Sequence, residues 1–175
     1  MTIVVLTRPE GENENLAELL SGHRLDILIR PLIQLSAIET TPAIKQLVMN
    51  IDKQDAVIFV SKSSVRYALP LMESFWFKWP VSTKWFAVGA GTASKLAEFG
   101  IRSNYPRVSG SEELLNLPFL RSVSGLKILI IRGAGGRELL ANKLTLRGAE
   151  VSYMEVYRRS PALQNDRLEL PLGSI

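Results

Sequence analysis

The feature that most constrains this chain is a repeated block. Residues 127–159 read KILIIRGAGGRELLANKLTLRGAEVSYMEVYRR. An apolar run at 128–131 is followed by Gly133, Gly135 and Gly136, then by Leu139, Leu140, Leu144 and Leu146 near helical spacing. Gly148 breaks that pattern, and a β-branched and aromatic run occupies 151–157. The order is strand, glycine turn, helix, strand. The opening of the chain, with a strand at 3–7, a helix ending near Leu20 and a strand at 25–29, superposes on this block at an offset of 124 residues. Val4, Val5 and Leu6 fall on Ile128, Leu129 and Ile130; Arg8 falls on Arg132, Gly11 on Gly135, Glu14 on Glu138, Leu16 on Leu140, Ala17 on Ala141 and Asp26 on Glu150. Two copies of one strand-helix-strand unit imply two similar lobes, where 175 residues with 46% hydrophobic content would otherwise read as a single domain.

Between the copies the chain changes character twice. Residues 31–42, PLIQLSAIETTP, lie between Pro31 and Pro42 and read as an extended connection with no element of their own. From Ala43 an alternating series begins: a short amphipathic helix at 44–51, a buried strand at 56–60, a helix capped by Ser61, a strand at 85–88, and a glycine turn leading into a helix that stops at Gly100. A short strand at 104–108 and a helix capped by 110–113 and carrying Leu114, Leu115 and Leu117 complete it. This alternation predicts an α/β fold of two similar lobes with parallel sheets flanked by helices. The second lobe, 36–158, is expected to be complete and inserted into the first, 1–35 plus 159–175, through two extended connections, the second at 158–171. Pro161, Ala162 and Leu163 echo Pro42, Ala43 and Ile44, after which the first copy continues into the strand at 56–60. The first lobe is therefore expected to be truncated, with its C-terminal part missing. Extending the repeat offset gives a complete chain of roughly 240 residues, and the 175-residue form is expected to be inactive alone.

Composition removes several function classes. There is no cysteine, hence no disulfide and no thiolate metal site, which fits a reducing compartment. His23, the single histidine, lies in a polar turn and reads as solvated, leaving a His-based metal centre or a Ser-His-Asp triad without support. The net charge of +4 favours anionic partners. Because the basic residues are dispersed and no aromatic-rich signature accompanies them, nucleic acid ranks low. No apolar segment reaches the length of about 18 residues that spans a bilayer, and no signal core opens the chain. The expectation is a soluble, cytoplasmic protein with no membrane partner.

In a parallel sheet of this kind, ligands meet the C-terminal strand ends, and the notable residues fall there. Ser61, Ser63 and Ser64 follow the strand at 56–60 with Lys62 beside them; Gly89, Gly91 and Thr92 follow the strand at 85–88; Arg132 precedes the turn of Gly133, Gly135 and Gly136, with Arg137 and Glu138 in the first helical turn. Helix starts hold anions through free N–H groups and the helix dipole. Three such turns, with Arg8 and Gly11 in the first copy, point to a polyanionic ligand, although each turn alone is ordinary for an α/β fold. A nucleotide is poorly supported: GAGTAS has Ser94 where a dinucleotide fingerprint has its third glycine, and GAGGRELL lacks the ending of a phosphate-binding loop. Alternation places Tyr153, Glu155 and Tyr157 on one strand face. Tyr157 then reads either as a hydroxyl facing a cleft or as a core tyrosine.

In order and spacing, VLTRPEG, the PLI after the second strand, IFVSKSSV, AVGAGTA, RGAGGRELL and GAEVSYMEVYRR resemble the uroporphyrinogen-III synthase family over nearly the whole chain. The resemblance implies two α/β lobes, a monomer, no cofactor and no metal. Its substrate would be hydroxymethylbilane, a linear tetrapyrrole with eight carboxylates. Loss of its hydroxyl gives an azafulvene, the terminal ring attacks through its substituted carbon, and the spiro intermediate rearranges to uroporphyrinogen III with ring D inverted. Such an enzyme works chiefly by holding the chain folded, with one proton donor for the leaving hydroxide. The family's tyrosine falls on Tyr157, the candidate general acid, and its threonine on Thr92, a substrate contact. Ser61, Ser63, Arg8 and Arg132 are further candidate substrate contacts. Val60 departs from the family, which commonly has threonine there. The alternatives are a non-enzymatic polyanion-binding module and a nucleotide-binding domain.

Overall fold

The computed structural model describes residues 2–162, so the sequence expectations for 163–175 lie outside the described residues. The chain divides into two compact units, 1–36 with 159–175 and 37–158. It passes between them within two strands, β3 (Ile33–Ala37) and β7 (Glu150–Pro161).

In the first unit, β1 (Thr2–Leu6) and β2 (Leu25–Ile29) pair in parallel and α1 (Glu14–Ser21) connects them. Asn13 precedes α1 without capping it; its amide instead donates to the carbonyls of Arg8 (2.8 Å) and Pro9 (3.4 Å), tying the turn back to the end of β1. Among the described residues of this unit only Leu6 and Asn13 are buried.

The second unit carries α2 (Pro42–Met49), β4 (Ala56–Phe59), α3 (Lys62–Glu73), β5 (Lys84–Ala87), α4 (Ala90–Ala97), the short α5 (Ser111–Leu114) and α6 (Pro118–Arg121), β6 (Lys127–Gly133) and α7 (Leu139–Leu146) before β7. The strand order is β3-β7-β6-β4-β5, and the pairs β4–β5, β4–β6 and β6–β7 are parallel. Ala56, Ile58, Phe86, Ile128 and Ile130 form one buried face with Leu114, Leu115, Leu120, Val123, Leu140 and Leu144 of α5, α6, α7 and the segments between them. The intervening residues Val57, Phe59, Leu129 and Ile131 point to the opposite face, where α3 packs on β4 and β6. Both faces being covered explains why these strands are continuous apolar runs with no polar alternation.

The repeat is visible in the hydrogen-bonded register. Val4 pairs with Ile27 and Leu6 with Ile29; at the same offset of 124, Ile128 pairs with Val151 and Ile130 with Tyr153.

Three expectations are corrected. Residues 33–37 form the strand β3 beside β7 rather than an unstructured connection; the alternation Ile33, Leu35, Ala37 is a strand pattern that the flanking prolines obscured. Residues 104–108 give one isolated bridge, Phe86 to Asn104, and no strand. Leu146 is 80% exposed, so the apolar stripe of α7 ends at Leu144.

Candidate functional site

The C-terminal ends of β4, β5 and β6, with the corresponding stretch of β7, bring Ser61, Ser63, Thr92, Arg132 and Tyr157 to one edge of the second unit's sheet. Ser61 ends the extended run after β4 and caps α3 reciprocally: its Oγ accepts from the Ser64 N–H at 2.9 Å, while the Ser61 N–H donates to Ser64 Oγ at 3.1 Å. Serine serves here because its short hydroxyl reaches the third helical N–H, which has no partner within the helix. Ser63 is 8% exposed and sits in the first turn of the same helix.

The α4 start is built differently. Gly89 is extended, and a Cβ on it would lie 2.0 Å from Ser109 Oγ, so the close approach of the 109–110 segment requires glycine. Thr92, 5% exposed, stands in the first turn of α4. The stem of Lys62 crosses from α3 to cover Gly91, where a Cβ would lie 2.7 Å from Lys62 Cε. Lys62 is exposed, and among the described residues no carboxylate pairs with it. An ammonium at the start of its own helix and over the start of another opposes both dipoles. An anion placed between them would satisfy all three.

Tyr157 is 1% exposed. Its hydroxyl lies 3.3 Å from Ser61 Oγ, its ring stacks on Tyr67 with centroids 5.4 Å apart, and its carbonyl accepts from the Ala134 N–H at 2.8 Å. Tyr157 does not share a face with Tyr153 and Glu155, contrary to the expectation from strict alternation. Arg132 pairs with Glu155 and Gly133 with Tyr157, leaving Val156 as an extra residue in β7. That bulge turns Tyr157 to the α3 side of the sheet.

Arg132 is 6% exposed and already engaged. Its guanidinium pairs with Glu138 at 2.8 Å and Glu155 at 3.3 Å, donates to the Arg137 carbonyl at 3.4 Å, and lies 4.1 Å from the centroid of the Tyr153 ring. The Tyr153 hydroxyl donates to the other oxygen of Glu138. Burial, then the bond to Glu138, pushes Tyr153 up to about 12. The hydrogen bonds from Tyr153 and Arg132 hold Glu138 below the ordinary carboxylate range. For Arg132, burial opposes the charge most, but the hydrogen bond and charge of Glu138, aided by Tyr153 and Glu155, outweigh it and the net shift is upward. The cluster pins both ends of the 133–138 turn, and Glu138 immediately precedes α7, which starts at Leu139 rather than including Arg137 and Glu138. The repeat-equivalent Arg8, by contrast, is exposed, and no described carboxylate pairs with it.

Sequence reasoning did not single out Tyr67, the packing of Gly133 against the Tyr157 ring, or the Arg132–Glu138–Tyr153 contact. The coincidence of Arg132 and Glu138 with Arg8 and Glu14 in the repeat was the available signal. A separate cleft of about 390 Å³, lined by Lys84, Phe86, Tyr105 and Phe119 among others, contains none of the site residues. Among the described residues no group of three acidic or histidine side chains is placed to hold a metal, and no helix is long and apolar enough to cross a membrane.

Known proteins match this architecture. A family model described as uroporphyrinogen-III synthase HemD matches residues 14–170. The chain is 36% identical over 159 residues to a uroporphyrinogen-III synthase of Salmonella typhimurium and 34% identical over 158 residues to that of Escherichia coli, covering 89% of this chain in each case. It spans 64% of the length of each of these relatives. A crystal structure of a mutant uroporphyrinogen III synthase from the extremely thermophilic bacterium Thermus thermophilus shares the fold with a TM-score of 0.69 at 19% identity, over 93% of this chain and 64% of that one. The α/β fold with parallel strands flanked by helices, the ordered strand-end turns and these matches together assign the chain to the uroporphyrinogen-III synthase family.

Proposed function

We propose that the protein, with the further length its curated relatives have, cyclises hydroxymethylbilane to uroporphyrinogen III with loss of water and inversion of ring D, a lyase-type step of tetrapyrrole biosynthesis. The proposed protein has two similar lobes, of which 37–158 is the inserted one. The observation that carries the reading is the convergence at one sheet edge of two helix starts, a cation crossing between them and a tyrosine hydroxyl bonded to one of the caps.

Each part has a task in that reaction. The starts of α3 and α4, with Ser63, Thr92 and Lys62, receive substrate carboxylates, and Ser61 contacts the substrate beside them. Arg8, without a described carboxylate partner, is a further carboxylate contact. Arg132 acts through the turn it holds, because its charge is already met by Glu138 and Glu155. Tyr157 supplies the proton for the leaving hydroxide. One copy of the protein and no cofactor are called on. A purely polyanion-binding module would bind tetrapyrrole acids without altering the isomer formed, and family membership favours the enzyme.

The experiment is the isomer ratio formed from hydroxymethylbilane. Uroporphyrinogen III above the spontaneous background supports the reading. A product with the uncatalysed isomer composition, despite tetrapyrrole binding, sinks it in favour of the binding module.

A further inference from the structure

We infer that Ser61 hands the proton on: the hydroxyl of the α3 cap is the outlet through which the buried Tyr157 phenol reaches the leaving group. The inference rests on the cyclisation proposed above. Tyr157 is 1% exposed, with Tyr67 stacked on its ring and Gly133 beneath it. A substrate as large as a tetrapyrrole does not touch a group so enclosed, whereas Ser61 is partly exposed and its Oγ lies 3.3 Å from the phenol oxygen. Ser61 Oγ also accepts the Ser64 N–H at 2.9 Å; the 3.3 Å contact permits either oxygen to donate, and with the phenol donating both Ser61 lone pairs are occupied and the serine proton is directed outward.

The Ser61 proton goes to the substrate hydroxyl, the carbon–oxygen bond breaks and water leaves. The Tyr157 proton moves to Ser61 Oγ. After ring closure, the proton released as the pyrrole ring regains aromaticity returns through Ser61 to the phenolate. The positive end of α3 beside Ser61 favours the transient anion.

Two substitutions separate this role from capping. Asparagine caps helices about as well as serine, so Ser61→Asn retains the α3 start but has no hydroxyl to relay; Ser61→Thr retains both. In the active protein, Ser61→Thr is expected to keep kcat within about threefold. Ser61→Asn is expected to lower kcat as far as Tyr157→Phe with little change in KM, and the double variant to be no slower than Tyr157→Phe alone, as for residues acting as one unit. Multiplying losses, or full kcat in Ser61→Asn, would overturn the relay.

A second measurement needs no turnover. In the 175-residue chain, exchange of the Tyr157 hydroxyl proton with solvent, read from the deuterium isotope shift on its ¹³Cζ, should slow severalfold in Ser61→Asn and not in Ser61→Thr. Equal exchange in all three proteins would overturn the relay whatever the activity, whereas slowed exchange without uroporphyrinogen III formation would count against the proposed reaction alone.

Discussion

The Tyr157 ring fills the space that a side chain on Gly133 would need: a Cβ there would lie 2.5 Å from Tyr157 Cζ and 2.6 Å from Cε2. The ring cannot easily withdraw, because it is stacked on Tyr67. Gly133→Ala is therefore expected to destabilise the fold by roughly 1–3 kcal/mol through overpacking and to displace the phenol from Ser61. Denaturant unfolding measures the first effect and the Tyr157 ring resonances the second.

The Arg132–Glu138–Tyr153 cluster gives the stability a defined pH dependence. Tyr153 is raised to about 12, so its contribution is complete below the ordinary phenol range near pH 10 and disappears as pH climbs through about 12. Glu138 is lowered, so its contribution is present above the ordinary carboxylate range and is lost as pH falls through its depressed folded value. Tyr153→Phe is expected to lower stability at neutral pH and to flatten the alkaline limb. Thermal unfolding from about pH 7 to about pH 12 checks this; parallel curves for the two proteins would count against it.

Lys62 and Gly91 make a separable pair. A methyl group on Gly91 would meet only the far end of a flexible side chain, Lys62 Cε at 2.7 Å, so Gly91→Ala pushes the ammonium aside at little structural cost. Alanine in place of a helical glycine adds about 0.5–1 kcal/mol of stability, which makes the expected signature unusual. Binding of an octacarboxylate porphyrin weakens severalfold while the unfolding temperature holds or rises. Titration calorimetry and thermal unfolding of the same samples report both.

Much of the fold was legible because the repeat and its covered strands leave strong patterns. The offset of 124 that aligns Val4 with Ile128 also aligns the strand pairing of the two copies. What stayed hidden was non-local. Whether Ile33, Leu35 and Ala37 pair with anything is decided by β7, more than a hundred residues away. The bulge at Val156 leaves no mark in the sequence, yet it moves Tyr157 to the opposite face from Glu155. The strand-end turns were readable from their serines, glycines and threonine. The 96-residue separation between Ser61 and Tyr157 carried no local signal of their contact. Arg132 drew attention as a basic residue at a strand end, and only its geometry shows the charge already met by Glu138 and Glu155.

The most direct test is the isomer composition formed from hydroxymethylbilane by the protein at its relatives' length, with and without Tyr157→Phe. The account predicts predominantly uroporphyrinogen III from the unsubstituted protein, and from Tyr157→Phe a rate reduced by about 10²-fold or more, the usual scale of proton-transfer assistance, with isomer III still favoured because the carboxylate contacts remain. Equal rates from the two proteins would contradict it.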